Sequence, residues 1–462
     1  MAFQVYVVCF FLTGFVGQLS GSTGDANDAA VAVRKEADKK ARMRSGVRRI
    51  AAGAMGVAGL LALLHYYRTR RRGLGAEGEH KALVTQVAWR SGAIEALRAG
   101  AMGDALGALV EFCGHNEHGF FESDRPRYMV KGSITSIEDA KAFSKSAYLR
   151  VTDDTIMTEL TVHAIWQWSL LQSTDRTIDA LMHLIADATL ANYAQRNKTN
   201  SYSWADSHRA PGVQCIEAIN QYAHEKKWDR SLYKNRKVGR EGGSGKVMDS
   251  AAFAFVIADT SLAVKLAQLH AKISHPDSVS QAACAAMAFA ISSALDQKIS
   301  LEKIIEGMID CANAVSHNNE AAEALEWQKG SVYWPKWRTN ESSKPYTVGQ
   351  RISDVCDDCA RGCSLDEILQ RNGGWGAPDL VAAVVATALC GDAHGWTVKE
   401  AILAVVNANC GVGGIDRDTV ASLVGQFLAA RGVSMGFTDA EFALIERDGE
   451  RKKGGDLSSL FA

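Results

Sequence analysis

Proline is scarce in this chain, which has six prolines among 462 residues, whereas an average usage of about 5% would give roughly 23. Because proline interrupts helices and central strands, this scarcity favours long uninterrupted elements. Alternating polar and apolar runs with hairpin turns are also scarce, whereas apolar residues recur at helical spacing along several segments. These segments are 178–193, 251–269, 280–295, 301–315, 380–389 and 398–406. The sequence therefore predicts a mostly or wholly α-helical body.

The main part of the chain also lacks an excess of positive charge. Residues 31–72 carry twelve Lys and Arg against two acids, and residues 1–30 carry two Asp, so the overall net charge of −1 leaves about −9 for residues 73–462. A body with this charge has no bulk attraction for nucleic acid, which is therefore not expected as a partner. The basic segment belongs to the N-terminus alone.

The N-terminal segment is typical of targeting or membrane sequence. An apolar run at 5–16 precedes the small residues 20–22, and a second run at 50–67 has no charge and is flanked by arginines. The second run just reaches membrane-spanning length. Residues 1–80 thus predict either a membrane anchor, a cleaved bipartite organelle-targeting leader or a soluble N-terminal helix, followed by a soluble body.

The cysteines allow two interpretations. Ten are present, and three of them, Cys356, Cys359 and Cys363, are spaced like a metal or iron–sulfur run. The same spacing places all three on one face of a helix, and no fourth ligand lies nearby in the sequence. Packed thiols are therefore the simpler interpretation. A disulfide framework is not expected in a chain this long and this hydrophobic.

Two acidic pairs open apolar helices at distant points of the chain. Asp153 and Asp154 in "VTDDTIM" precede apolar residues at helical spacing, and Asp416 and Asp418 in "GGIDRDT" do the same. Acidic residues in a first helical turn are often caps, because they satisfy backbone N–H groups and the helix dipole. The alternative is that both starts, the second with glycines beside it, are two halves of one oxygen-ligand metal site.

A third motif points to a family. Residues 99–112 put small side chains on a helix that must pack very closely, and Glu111 stands at its end. Together with "TDDT" and "GIDRDT" in this order, the chain resembles the ADP-ribosylglycohydrolase family, which includes the dinitrogenase reductase-activating glycohydrolases. The resemblance covers about residues 88–433, and Ser274-His275-Pro276 is similar to the family's Thr/Ser-His segment before a helix.

The resemblance implies an all-α fold, an orthogonal multi-helix bundle with a binuclear Mg²⁺ centre. The helical domain would span 81–435, followed by a short helix and polar tail at 436–462. The implied metal ligands are Thr152, Asp153, Asp154, Asp416, Asp418 and Thr419. Carboxylates gathered this closely would repel one another unless divalent cations neutralised them, and oxygen donors suit Mg²⁺, or Mn²⁺, better than zinc.

The implied activity is Mg²⁺-dependent hydrolysis of the glycosidic bond between ADP-ribose and a protein side chain or small conjugate. Glu111, Asp154 and Asp418 would be catalytic, with Glu111 orienting or deprotonating the attacking water or holding the ribose. The expected substrate-binding residues are Gly243, Ser244, Gly245 and His275. His275 is alternatively a capping or packed histidine. A noncatalytic member of the same fold, acting as a binding or structural protein, is the competing hypothesis.

Four residues depart from the family pattern. Ser244 and Asp249 replace an asparagine and an arginine of its glycine-rich turn, so we expect Asp249 to face the substrate pyrophosphate and weaken its binding, with Lys246 as compensation. At the second acidic start, Ile415 restricts the turn and Arg417 is expected to add a cation beside the metals. These departures bear on which substrate is bound and on whether the chain is active, and they leave the fold intact. The sequence does not distinguish an arginine, serine or other linkage, because that choice depends on the shape of the loop near Glu111.

Overall fold

The computed structural model describes nine ranges of the chain, which are 87–111, 114–116, 119–121, 133–144, 149–198, 212–233, 242–315, 347–410 and 414–446. The chain divides into two units, Met1–Glu79 and His80–Ala462, and all described residues belong to the second. The predicted targeting segment at 1–80 and the tail after 446 lie outside the described residues, so both stay predictions.

The described residues form fifteen α-helices, one 3-10 helix at Arg230–Leu232 and four short strands. The helices are α1 Ala93–Gly107, α2 Ile137–Ser144, α3 Asp153–Ser169, α4 Ile178–Lys198, α5 Val213–Glu225, α6 Ala251–Val256, α7 Thr260–Ala271, α8 Ser278–Leu295, α9 Leu301–Val315, α10 Val348–Ala360, α11 Leu365–Arg371, α12 Ala377–His394, α13 Val398–Val406, α14 Arg417–Ala430 and α15 Asp439–Phe442. The strands are β1 Gly114–Asn116, β2 Gly119–Phe121, β3 Leu149–Arg150 and β4 Ile445–Glu446. The pair β1–β2 is antiparallel and the pair β3–β4 is parallel. The predicted all-α class is confirmed.

One segment that the sequence predicts as a single helix is two helices in the structure. Apolar spacing over 251–269 predicts a single helix, but the structure ends α6 at Val256 and begins α7 at Thr260. Between them Ile257 forms a bridge with Val87, and Asp259 accepts hydrogen bonds from the backbone N–H groups of the next turn. Such a cap stabilises a new helix start, which apolar periodicity alone does not detect.

Helix α8 is the centre of the core. It is rich in alanine and apolar nearly all round, as expected for a helix surrounded by others, and it packs against α6, α7, α9, α12 and α14. Among the described helices, α8 alone is long and apolar enough to span a membrane. However, 83% of its 18 residues are buried inside the fold. Its composition is therefore explained by the core.

Helices α1 and α14 cross in close backbone contact, and this crossing positions the site. A Cβ built on Gly103 would stand 2.2 Å from the backbone oxygen of Ala421, and one on Gly107 would stand 2.5 Å from the backbone of Arg417. Only glycine permits such an approach. The predicted close packing of residues 99–112 thus brings the end of α1 against the start of α14.

Candidate metal and phosphate site

The two acidic helix starts meet in space. Asp154 at the start of α3 and Asp418 at the start of α14 form one group with Asp104, in which one oxygen of each carboxylate lies within 4.8 Å of the others. Glu111, Asp416 and Asp418 form a second group, in which one carboxylate oxygen of each residue again lies within 4.8 Å of the others. Asp418 belongs to both groups, so the two clusters are adjacent. Asp153 belongs to neither group.

The acidic side chains are not the caps of these helices. Thr152 is the N-cap of α3 and accepts a hydrogen bond from the Asp154 N–H. Asp416 occupies the N-cap position of α14 without making a side-chain cap, and its Oδ2 instead accepts from the Ser244 hydroxyl at 3.1 Å. The capping interpretation therefore does not explain why carboxylates stand at both positions.

Asp104 is a site residue that sequence reasoning missed. Its carboxylate is fully buried and accepts hydrogen bonds from the backbone N–H and the hydroxyl of both Thr152 and Thr155. It thereby fixes the first turn of α3 from the neighbouring helix α1. The available signal was a carboxylate within a stretch rich in glycine and alanine, seven residues before Glu111.

Burial strongly disfavours ionised carboxylates at this site. Burial, the charge of Asp418 and then that of Asp104 raise the pKa of Asp154 well above its usual range. Burial raises the pKa of Asp416 to about 8, and burial with the charge of Asp416 raises the pKa of Asp418. A divalent cation would relieve this repulsion and favour the ionised forms.

The donor set fits a divalent cation. Asp154 Oδ1 is buried, and the described residues offer it no hydrogen-bond partner, which is a costly arrangement unless another group binds there. Thr152 and Thr419 are also buried, and the Thr152 hydroxyl lies 3.1 Å from Asp154 Oδ2. Carboxylate and hydroxyl oxygens of this kind are ligands typical of Mg²⁺.

The turn at 243–245 lies between this acidic cluster and His275. Gly243 forms a bridge with Gly376 at the start of α12, and the Ser244 N–H donates to the Trp375 carbonyl at 3.2 Å. The predicted phosphate cradle therefore has the Ser244 amide already engaged. The Ser244 side chain connects the turn to Asp416, as described above.

His275 lies against both glycines of the turn. A Cβ on Gly243 would stand 3.3 Å from His275 Nε2, and one on Gly245 would stand 3.1 Å from His275 Cε1. The ring is buried, and its Nδ1 lies 2.8 Å from the Ser274 hydroxyl. Burial, with the charges of Lys246 and Arg230, lowers the pKa of His275 to about 3, so the ring is neutral near pH 7. The N-cap of α8 is Asp277, which removes the capping alternative for His275.

The prediction that Asp249 faces a pyrophosphate is wrong. Its side chain is fully buried, with Oδ2 2.9 Å from Lys246 Nζ. Although burial alone would raise it, the charges of His270 and Lys246 bring the pKa of Asp249 down to about 2. Lys246 is itself 2% exposed, so it does not compensate at a pocket surface either.

The prediction that Arg417 adds a cation beside the metals is also corrected. The Arg417 side chain is fully buried, and its Nη1 and Nη2 donate to the carbonyls of Val110 at 3.3 Å and of Ala408 at 3.1 Å. It thus holds the segment that leads into Glu111. Ile415 is likewise buried in the core.

The cysteine run does not form a metal site among the described residues. Cys356, Cys359 and Cys363 lie at the end of α10 and just after it, partly buried against the core. Of the described residues, the groups whose ligand atoms lie close enough to hold a metal are the two acidic ones. The packed-thiol interpretation is therefore the one that fits.

Comparisons with known proteins identify the family of this chain. A family model described as ADP-ribosylglycohydrolase matches residues 85–434. Among solved structures, an "ADP-ribosylglycohydrolase-related protein complex" is similar at 18% identity, over 76% of this chain and 95% of that chain, with a TM-score of 0.42. That structural likeness is too low to support an argument about function. A search of curated proteins found no significant match.

Proposed function

The chain belongs to the ADP-ribosylglycohydrolase family, and on that premise we propose that it hydrolyses the bond between ADP-ribose and a protein side chain or small conjugate. The family indicates glycohydrolase activity on ADP-ribose compounds. The observation that supports this proposal most is the pair of carboxylate groups that share Asp418. A capping or packing role gives no reason to gather buried carboxylates from three distant segments.

Two divalent cations, Mg²⁺ or alternatively Mn²⁺, would be held by the residues of the two helix starts. These are Thr152, Asp153, Asp154, Asp416, Asp418 and Thr419. When bound, the cations would polarise a water molecule and bind ribose hydroxyls. Asp104 would position these ligands without binding the cations, because its hydrogen bonds fix Thr152 and Thr155 on either side of the acidic pair.

Glu111 is proposed to activate the attacking water. Its carboxylate lies at the edge of the cluster, within 4.8 Å of oxygens of Asp416 and Asp418, and its side chain is half-buried. In the reaction, the water oxygen bonds to C1″ of the ribose and its proton passes to Glu111. The bond from C1″ to the acceptor atom breaks, and that atom takes up a proton from solvent while Glu111 returns the proton it received to solvent.

The turn at 243–245 and His275 are proposed to bind the pyrophosphate. Backbone N–H groups of Gly243 and Gly245 would donate to phosphate oxygens. His275 is neutral near pH 7, so it would contribute a hydrogen bond from Nε2 and no charge. The glycines matter because a side chain at either position would meet the His275 ring.

The proposal is tested with the full chain and proteins ADP-ribosylated through arginine or through serine. The measured quantity is free ADP-ribose, released in Mg²⁺ or after chelation with EDTA. We expect release from at least one substrate in Mg²⁺ and none in EDTA. Binding of ADP-ribose without release from any substrate would instead support a noncatalytic binding protein. The absence of both binding and release would contradict the proposed function and leave only a structural role.

A further inference from the structure

A buried charged cluster lies directly beneath the turn at 243–245. Lys246 Nζ is 2.9 Å from Asp249 Oδ2, and His270 Nε2 lies 3.3 Å from each of those two atoms. Side-chain exposure is 2% for Lys246 and zero for Asp249 and His270. We call these three residues the buried triad.

The buried triad connects three parts of the fold. Lys246 and Asp249 belong to the turn that leads into α6, and His270 stands in the last turn of α7. From α3, the Thr161 hydroxyl donates to Asp249 Oδ2 at 3.4 Å. The Phe253 ring packs edge-on against His270, with ring centroids 5.3 Å apart. An ion pair and polar contacts from three elements thus hold Lys246 and Asp249 beside the turn.

Stability alone does not account for this arrangement. Removing two charges from water carries a desolvation cost that often exceeds their mutual attraction, and apolar side chains of similar volume commonly stabilise a fold equally well. A buried ion pair does, however, restrict its residues to one geometry, because every other arrangement leaves a charge unpaired. The buried triad is suited to fixing position.

The buried triad fixes the position of the turn at 243–245, which is the proposed phosphate-binding turn. Lys246 directly follows Gly245, and its backbone carbonyl accepts a hydrogen bond from Cys284 Sγ at 3.2 Å. On the opposite side the turn reaches the acidic cluster through Ser244 and Asp416. A shift of the Lys246 side chain would therefore move the turn relative to both Asp416 and His275.

We propose that Lys246, Asp249 and His270 are positioning residues that preorganise the turn at 243–245 for a pyrophosphate. This inference rests on the proposed function, and it assigns Lys246 and the departure at Asp249 to a shared structural task. The buried triad does not touch the ligand. It lowers the cost of binding because the turn need not be ordered when the ligand arrives.

The main test is the full chain with Lys246→Met and Asp249→Asn together, which removes both charges and keeps similar side-chain volumes. ADP-ribose and Mg²⁺ are titrated separately by calorimetry, and thermal unfolding is followed. We expect a folded protein with unchanged Mg²⁺ affinity, but an ADP-ribose Kd raised by about tenfold or more, since small misplacements of a binding group are costly. The matched control is Lys399→Met with Glu441→Gln, which removes an ion pair between α13 and α15 and should leave the ADP-ribose Kd unchanged.

A second variant, Lys246→Arg, keeps the charge and changes its reach and shape. It should fold and bind Mg²⁺ normally, with ADP-ribose binding weakened by roughly threefold to tenfold. Unchanged ADP-ribose affinity in whichever of these variants folds would overturn the positioning role. If the wild-type chain itself fails to bind ADP-ribose, the proposed function is wrong. That outcome differs from failure of the positioning role, in which the wild type binds ADP-ribose and the variants bind it equally well.

Discussion

Asp104 and Thr152 are joined by three short polar contacts between helices that lie far apart in the sequence. The Thr152 N–H donates to both carboxylate oxygens of Asp104 at 3.0 Å, and the Thr152 hydroxyl donates to Oδ1 at 2.6 Å. Asp104 binds Thr155 in the same manner. The residue that fixes the first acidic helix start therefore comes from another helix, and it provides the first prediction.

Asp104→Asn should destabilise the protein and weaken its Mg²⁺ binding. The amide nitrogen of Asn would face buried donors, so we expect the free energy of unfolding in Mg²⁺ to fall by about 3 kcal/mol. The control is Asp139→Asn, because Asp139 accepts similar bonds from Thr135 and Ser136 at the surface. That change should cost less than about 1 kcal/mol. Equal losses in chemical denaturation would show that burial of Asp104 has no special role.

Arg417→Met should lower turnover more than metal affinity. The substitution leaves the carbonyls of Val110 and Ala408 without their Arg417 donors, at a cost of about 2–4 kcal/mol in stability. It also releases the segment before Glu111, so we expect kcat to fall by about tenfold or more. Arg431→Met, which removes a surface contact to Asp392 at the other end of α14, is the control and should leave kcat unaltered.

Gly103→Ala should be strongly destabilising. The new Cβ would stand 2.2 Å from the Ala421 carbonyl oxygen, so α1 and α14 must separate, at a cost of about 3 kcal/mol. Gly212→Ala is the matched control, since no atom of the described residues comes within 4 Å of a Cβ placed there, and it should change stability by less than about 0.5 kcal/mol. A tolerated Gly103→Ala in thermal unfolding would contradict the close crossing.

His275 should make the protein sensitive to acid. Its pKa is about 3 in the folded protein and about 6.5 in an unfolded chain, so as pH falls the unfolded state takes up a proton that the folded state does not. The contribution of the neutral His275 ring to stability is therefore complete above the pKa that His275 has in the unfolded chain. It is lost progressively as the pH falls below that value. Between pH 7.5 and 5 the loss from this one group should be about 2 kcal/mol.

The measurement is the free energy of unfolding against pH for the wild type and for His275→Gln, which cannot titrate. The variant should lose about 2 kcal/mol less over that interval. His163→Gln, at an exposed position, should follow the wild-type slope. A His275→Gln slope equal to that of the wild type would mean that His275 is protonated in the folded state.

The helices were largely predictable, because apolar periodicity reports which face of a segment is buried. The site was predictable in part, since the order and spacing of the acidic motifs carry the family resemblance. The directions in which individual side chains point were not predictable from the sequence. Asp249 and Arg417 were expected at the ligand, but their charges are satisfied by Lys246 and by backbone carbonyls that only the tertiary fold brings near. Asp104 was missed for the same reason, because its partners lie on another helix.

The central claim is that carboxylates from both helix starts form one catalytic metal site, and Asp418 tests it because both groups contain it. The most direct measurement is the rate of Mg²⁺-dependent ADP-ribose release by the full chain and by Asp418→Asn. The control is Asp259→Asn, an acidic residue that does cap a helix. We predict a loss on the order of 10²-fold or more for Asp418→Asn with the fold retained, and little change for Asp259→Asn. Equal release by Asp418→Asn and the wild type would contradict the account.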